Sequence, residues 1–85
     1  MMPRYYFDLH NDLDLMDDQG VILPTFEDAR ARAFLEAREM ICSSVDEFAR
    51  IDLGHGIAIR DEHDAIVGKV RFDEAVLFVR DEVPV

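Results

Sequence analysis

The stretch Thr25-Phe26-Glu27-Asp28-Ala29-Arg30-Ala31-Arg32-Ala33-Phe34-Leu35-Glu36-Ala37-Arg38-Glu39-Met40-Ile41-Cys42-Ser43-Ser44-Val45-Asp46-Glu47-Phe48-Ala49-Arg50 decides the fold. Positions Ala33, Phe34, Ala37, Met40, Ile41, Ser44, Val45 and Phe48 recur at three- and four-residue steps, the spacing that lines one side of an α-helix. Thr25 offers a capping hydroxyl, Asp28 three residues on makes a capping-box-like arrangement, and Glu27 and Asp28 lie at the positive end of the helix dipole. Arg32, Glu36, Glu39, Ser43 and Asp46 fall mostly off the stripe, and Asp28–Arg32 and Asp46–Arg50 stand at ion-pair spacing. The pattern predicts one long amphipathic helix from Thr25 to about Arg50.

β-rich segments flank it on both sides. In Arg4-Tyr5-Tyr6-Phe7-Asp8-Leu9-His10, alternation puts Tyr5, Phe7 and Leu9 on one face and Arg4, Tyr6, Asp8 and His10 on the other. After the turn residues His10-Asn11-Asp12, Leu13-Asp14-Leu15-Met16 can return as a second strand. Asp17-Asp18-Gln19-Gly20 reads as a tight turn with Gly20 at positive φ, and Val21-Ile22-Leu23 as a short strand closed by Pro24. Beyond the helix come Ile57-Ala58-Ile59-Arg60 and Ile66-Val67-Gly68-Lys69-Val70-Arg71-Phe72, separated by the turn Asp61-Glu62-His63-Asp64. Asp73-Glu74-Ala75-Val76-Leu77-Phe78-Val79 suits a strand or a helical turn equally. The whole predicts an α+β fold in ββ-α-ββ order, an antiparallel sheet of about four strands with the helix packed on one face. Residues 1–80 are expected to form one domain, and residues 81–85 a frayed tail.

Composition narrows the function classes. Nineteen acids against nine bases give a formal charge of −10, which argues against non-specific binding to a phosphate backbone. From Tyr5 to Ala29 there are seven acids and no Lys or Arg. The single Cys42 forms no intramolecular disulfide, and no run is apolar enough for a signal peptide or a membrane span. The expected setting is the cytoplasm.

Three segments together resemble a known family. They are Met2-Pro3-Arg4-Tyr5-Tyr6-Phe7-Asp8, Gly20-Val21-Ile22-Leu23-Pro24 before an Ala/Arg-rich helix, and Ile59-Arg60-Asp61-Glu62 before a final strand. This pattern resembles a bacterial family of short stand-alone proteins catalogued as a domain of unknown function, over Met2 to about Val79. That family usually carries a Gly in the last turn, where this chain has His63-Asp64-Ala65. The resemblance brings no activity, ligand or site residue with it. The layout of strand pair, acidic-Gly turn and capped helix is also similar to the antitoxin subunit of HicAB toxin–antitoxin systems.

Candidate chemistry is sparse. An EF-hand loop would need Asp or Asn at Leu15, Asp17 and Gln19, and only Asp17 complies. Asp8, His10, Asp12 and Asp14 are the candidate ligands for a metal or small ligand on the hairpin, against the simpler reading of solvated turn carboxylates. No histidine has a partner at metal-ligand spacing, and Ser43 and Ser44 lack the strained turn of an activated nucleophile. Cys42 reads as a half-buried packing residue, and Gly54-His55-Gly56 lacks the strand and helix of a phosphate loop. The chain is expected to have no catalytic residues and no cofactor.

The outer sheet face is the stronger candidate. If Phe7, Ile57, Ile59, Ile66, Val70 and Phe72 face the helix, then Arg4, Tyr6, Asp8, Ala58, Arg60, Val67, Lys69 and Arg71 face away. Arg4, Tyr6, Arg60, Lys69 and Arg71 would then form a cationic, aromatic interaction surface on an acidic protein. The expected function is a non-enzymatic protein-interaction module able to pair with itself as a homodimer. The alternative is an acidic, antitoxin-like partner of a small basic protein.

Overall fold

The computed structural model describes residues 2–11 and 14–80. In chain order the elements are β1 (Arg4–His10), β2 (Asp14–Leu15), β3 (Val21–Ile22), α1 (Phe26–Phe48), β4 (Gly56–Arg60), β5 (Ile66–Arg71) and α2 (Phe72–Ala75). The sheet is antiparallel in the order β2-β1-β4-β5, with β3 also on β1. This is the expected α+β architecture with α1 laid across one face. Both short strands pair with the same long one: Leu9 and His10 face β2, and Arg4 and Tyr5 face β3. The expected return strand Leu13–Met16 is therefore only Asp14–Leu15 long, and Leu13 lies outside the described residues.

The helix begins as its sequence predicts. Thr25 is extended (φ −139°, ψ 163°), and its Oγ1 accepts from the Asp28 backbone N–H at 3.1 Å. The same hydroxyl donates to the Asp28 carboxylate at 3.0 Å, so Asp28 closes the cap without reaching the Thr25 N–H. Ala49 ends the helix in the left-handed region (φ 51°), its N–H bonded to the Val45 carbonyl at 2.9 Å. Neither predicted helical ion pair forms; Arg32 pairs with Glu36 at 3.2 Å and Arg50 with Asp52 at 3.4 Å.

The core explains why this helix is alanine-rich. Ala29, Ala33, Ala37 and Ile41 recur every four residues and are buried against Tyr5, Phe7, Ile57, Ile59 and Val70. Small side chains bring the helix backbone close, and the strands supply the bulk. Each fully buried Ile or Val of β4 and β5 contributes about 1.5–3 kcal/mol. The Phe26 ring packs edge-on to Tyr5 and presses on Gly68, where any Cβ would lie 2.9 Å from the ring.

Three expectations are corrected. Val45 and Phe48, placed on the buried stripe, are 45% and 70% exposed. At about 1.5 Å per residue, a 23-residue helix outruns strands of five to seven residues, so its last turns project past the sheet. Ile66, expected to face the helix, is 67% exposed, because the register shifts at Ile59/Arg60: Gly68 opposes Ile59 but Ile66 opposes Arg60. The bulge turns Ile66 outward and leaves Val67 beside Tyr5 and Phe26. Cys42, expected to be half-buried, is exposed.

The ambiguous segment 73–79 divides. Phe72–Ala75 makes one helical turn, held to α1 by a bond from Arg38 Nε to the Ala75 carbonyl at 2.8 Å. Val76 is extended (φ −133°, ψ 150°), and residues 77–80 form neither helix nor strand. The tail 81–85 lies outside the described residues. In the β4–β5 turn Asp64 takes φ 65°, a conformation that glycine adopts without strain.

Candidate interaction surfaces

Strand register assembles the outer face. Tyr6 stands opposite Arg60, Asp8 opposite Ala58, Ala58 opposite Lys69, and Gly56 opposite both His10 and Arg71. Alternation along β1 adds Arg4 to the same side. The geometry thus brings Arg4, Tyr6, Arg60, Lys69 and Arg71 together on one face, but most of their charge is already engaged within the chain.

Arg60 is the centre. Its Nε and Nη2 donate to the two Asp8 oxygens at 3.0 and 3.3 Å, Nη2 donates to the Asp17 carbonyl at 2.9 Å, and Nη1 donates to Asp64 at 2.8 Å. The guanidinium carbon lies 4.5 Å from the Tyr6 ring centroid. The hydrogen bond to Asp8 comes first in raising its pKa, ahead of the opposing effect of burial. Only 13% of its side chain is exposed, and only 5% of that of Asp8.

Asp8 corrects the reading of the acidic stretch as solvated carboxylates. The loop through Asp17 folds over this face, and its own N–H donates to Asp8 at 2.9 Å. The Asp17 carboxylate accepts N–H bonds from Phe7 (3.1 Å), Gln19 (3.0 Å) and Gly20 (3.1 Å). Burial pushes the Asp17 carboxyl up, but these donors, Gly20 and Gln19 ahead of Phe7, and the nearby Arg60 bring it below the usual value. Gly20 closes the loop at φ 70°. Arg4 Nη1 donates to the Gln19 carbonyl at 2.8 Å, and Arg71 Nε meets Asp73 and Glu74 at 3.1 and 3.5 Å. Among the described residues Arg4 and Lys69 are the cations of this face without an ion pair, and Arg4 is held by the Gln19 carbonyl instead.

The hairpin candidates are drawn apart. Asp8 belongs to Arg60, His10 Nδ1 contacts Asp14 at 3.1 Å, and Asp12 lies outside the described residues. Among the described residues no three His, Cys, Asp or Glu side chains converge as metal ligands. No helix among them is long and apolar enough to cross a membrane.

A second surface was not anticipated. Where α1 projects past the sheet, an open cleft of about 780 Å³ lies between the helix and the loop leading into β4. Met40, Phe48 and Phe72 give it apolar lining; Glu39, Glu47 and Asp52 give it three carboxylates against the single guanidinium of Arg50. His55 packs edge-on against Phe72 at 6.0 Å and its Nε2 meets Asp52 at 3.0 Å. Ser44 Oγ donates to the Arg50 carbonyl at 2.6 Å, fastening the helix end to the loop. The spacing Met40–Ser44–Phe48 beside Glu39–Ser43–Glu47 marks this side of the helix in the sequence. What hid it was the assumption that the stripe is buried along its whole length.

The family model described as Domain of unknown function (DUF6894) matches residues 4–73. No curated protein and no solved structure matches the chain.

Proposed function

We propose that this chain, which belongs to the DUF6894 family, is a non-enzymatic protein-interaction module that pairs with a partner chain or with a second copy of itself. The observation that carries the reading is the segment after α2, where Leu77, Phe78 and Val79 are 87%, 58% and 69% exposed. Three consecutive apolar side chains in water are unfavourable unless something covers them. β5 supplies a complementary feature: it ends the sheet order, and Ile66 on it is exposed. An apolar segment outside any helix or strand and a strand at the end of the sheet together suit strand addition, in which main-chain hydrogen bonds supply affinity and alternate side chains supply selection.

Light scattering across the micromolar range tests self-pairing, with Ile66→Lys and the double variant Leu77→Ser/Phe78→Ser as probes. Concentration-dependent dimers that both variants abolish support the reading. A monomer at every concentration removes self-association from it.

A further inference from the structure

We propose that the cleft at the C-terminal end of α1 is the receptor for a basic segment of a partner protein, a Lys- or Arg-bearing stretch with apolar neighbours. The inference rests on the interaction-module reading and names a surface and a partner chemistry for it. Three independent features converge on a cation there.

Charge is the first. Glu39 and Glu47 have no ion-pair partner among the described residues, and Asp52 is already shared by Arg50 and His55. The helix end is the second. A helix C-terminus carries partial negative charge and favours Lys, Arg or His, yet the last turn of α1 has no basic residue and contains Asp46 and Glu47. Arg50, two residues beyond the helix, is paired with Asp52, so no basic side chain of the last turn offsets that end. The aromatic lining is the third. Earlier on the same helix the half-buried Phe34 is flanked by guanidinium groups: Arg30 and Arg38 lie 5.1 and 5.7 Å from its centroid, one helical turn to either side. At Phe48 the four-residue neighbours are Ser44 and Asp52, and the ring is 70% exposed with no cation over it among the described residues. A cationic side chain from outside would meet both ring and carboxylates.

The same features disfavour other occupants. Nucleic acid and anionic lipid are repelled, and a second copy brings a formal charge of −10, with Arg4 and Lys69 as the outer-face cations without an ion pair among the described residues. A lone divalent ion finds no converging ligands among the described residues.

The test uses the full chain and a synthetic peptide of alternating Lys and Leu, with an otherwise identical Glu/Leu peptide as control. Binding is followed by calorimetry and by amide chemical shifts. The variant Glu39→Gln/Glu47→Gln is compared with Asp18→Asn/Glu62→Gln, which removes the same charge from exposed sites away from the cleft. We expect the Lys/Leu peptide alone to bind, with shifts confined to residues 11, 39–55 and 72. The cleft pair should weaken it by about fivefold or more and Phe48→Ala by a similar factor, while the distant pair changes it by less than about twofold. Glu47→Lys should abolish binding while raising Tm, which separates loss of the site from loss of the fold. Equal weakening by both charge pairs, shifts on the outer sheet face, or no binding at all overturns the proposal. Light scattering of the same variants reports self-association separately, so either idea can fail alone.

Discussion

A carboxylate removed from water on the solvent side of a sheet persists only if donors meet its oxygens, and Asp8 receives them from Arg60 and from the Asp17 N–H. Truncating it as Asp8→Ala leaves the Asp17 N–H and Arg60 Nε without their acceptor, although Arg60 keeps the Asp17 carbonyl and Asp64. We expect a loss of about 2–3 kcal/mol, measured by urea denaturation, together with faster amide exchange in the loop at 17–20 that Asp8 anchors. Ala49 offers the opposite opportunity. An L-residue at φ 51° is strained, and Ala49→Gly relieves that at the cost of added chain entropy when unfolded. The net gain should be about 0.5–1 kcal/mol, visible as a Tm rise of a few degrees. Asp17 and Asp61 each add to the sensitivity to acid. Backbone N–H donors hold both carboxyls below their ordinary value of 3.8, for Asp61 those of Ala65 and His63. A folded-state pKa below the unfolded one gives stability that is full above 3.8 and is lost as pH falls through the lower, folded value. Thermal melts across that range should therefore show Tm falling with acid, and Asp17→Asn should flatten the fall.

At the scale of elements, what local chemistry governs was legible and what register governs was not. The Thr25 cap, the helix after it and the turn at Gly20 depend on residues within four positions of one another, and all three form as their sequences predict. The Ile66 error has a different origin. Alternation is a reliable guide only while each residue opposes one partner, and the bulge beside Arg60 breaks that count where Asp64 shapes the hairpin. The outer face was legible as a set of residues but not as a charge. Asp8 and Arg60 are 52 positions apart, and only the β1–β4 pairing with the loop folded over it reveals that they neutralise each other. The cleft escaped notice for a third reason: a helical stripe records which side is apolar, not where the sheet beneath it stops. The last turn of α1 also carries its own prediction. Replacing Glu47 with Lys puts the favoured sign at the negative end of the dipole and should add about 0.3–1 kcal/mol, read as a raised Tm at low salt that shrinks as salt is added.

For the whole molecule, the two proposed contacts differ in the sign of their response to ionic strength. A chain with a formal charge of −10 resists its own copies, so apolar pairing of Leu77, Phe78 and Val79 with a second β5 proceeds against that repulsion. Raising salt to about 0.5 M shortens the screening length to roughly 4 Å, removes much of the opposition and should drive the monomer–dimer balance toward dimer. The cleft works through attraction between unlike charges, and the same salt should weaken the Lys/Leu peptide there by an order of magnitude or so. Sedimentation of the free chain and titration of the peptide in one salt series therefore provide opposing readouts from one sample. Dimerisation that weakens with salt would place its driving force in ion pairs instead, with Lys69 of one copy against the acidic helix end of another as the pairing to dissect first.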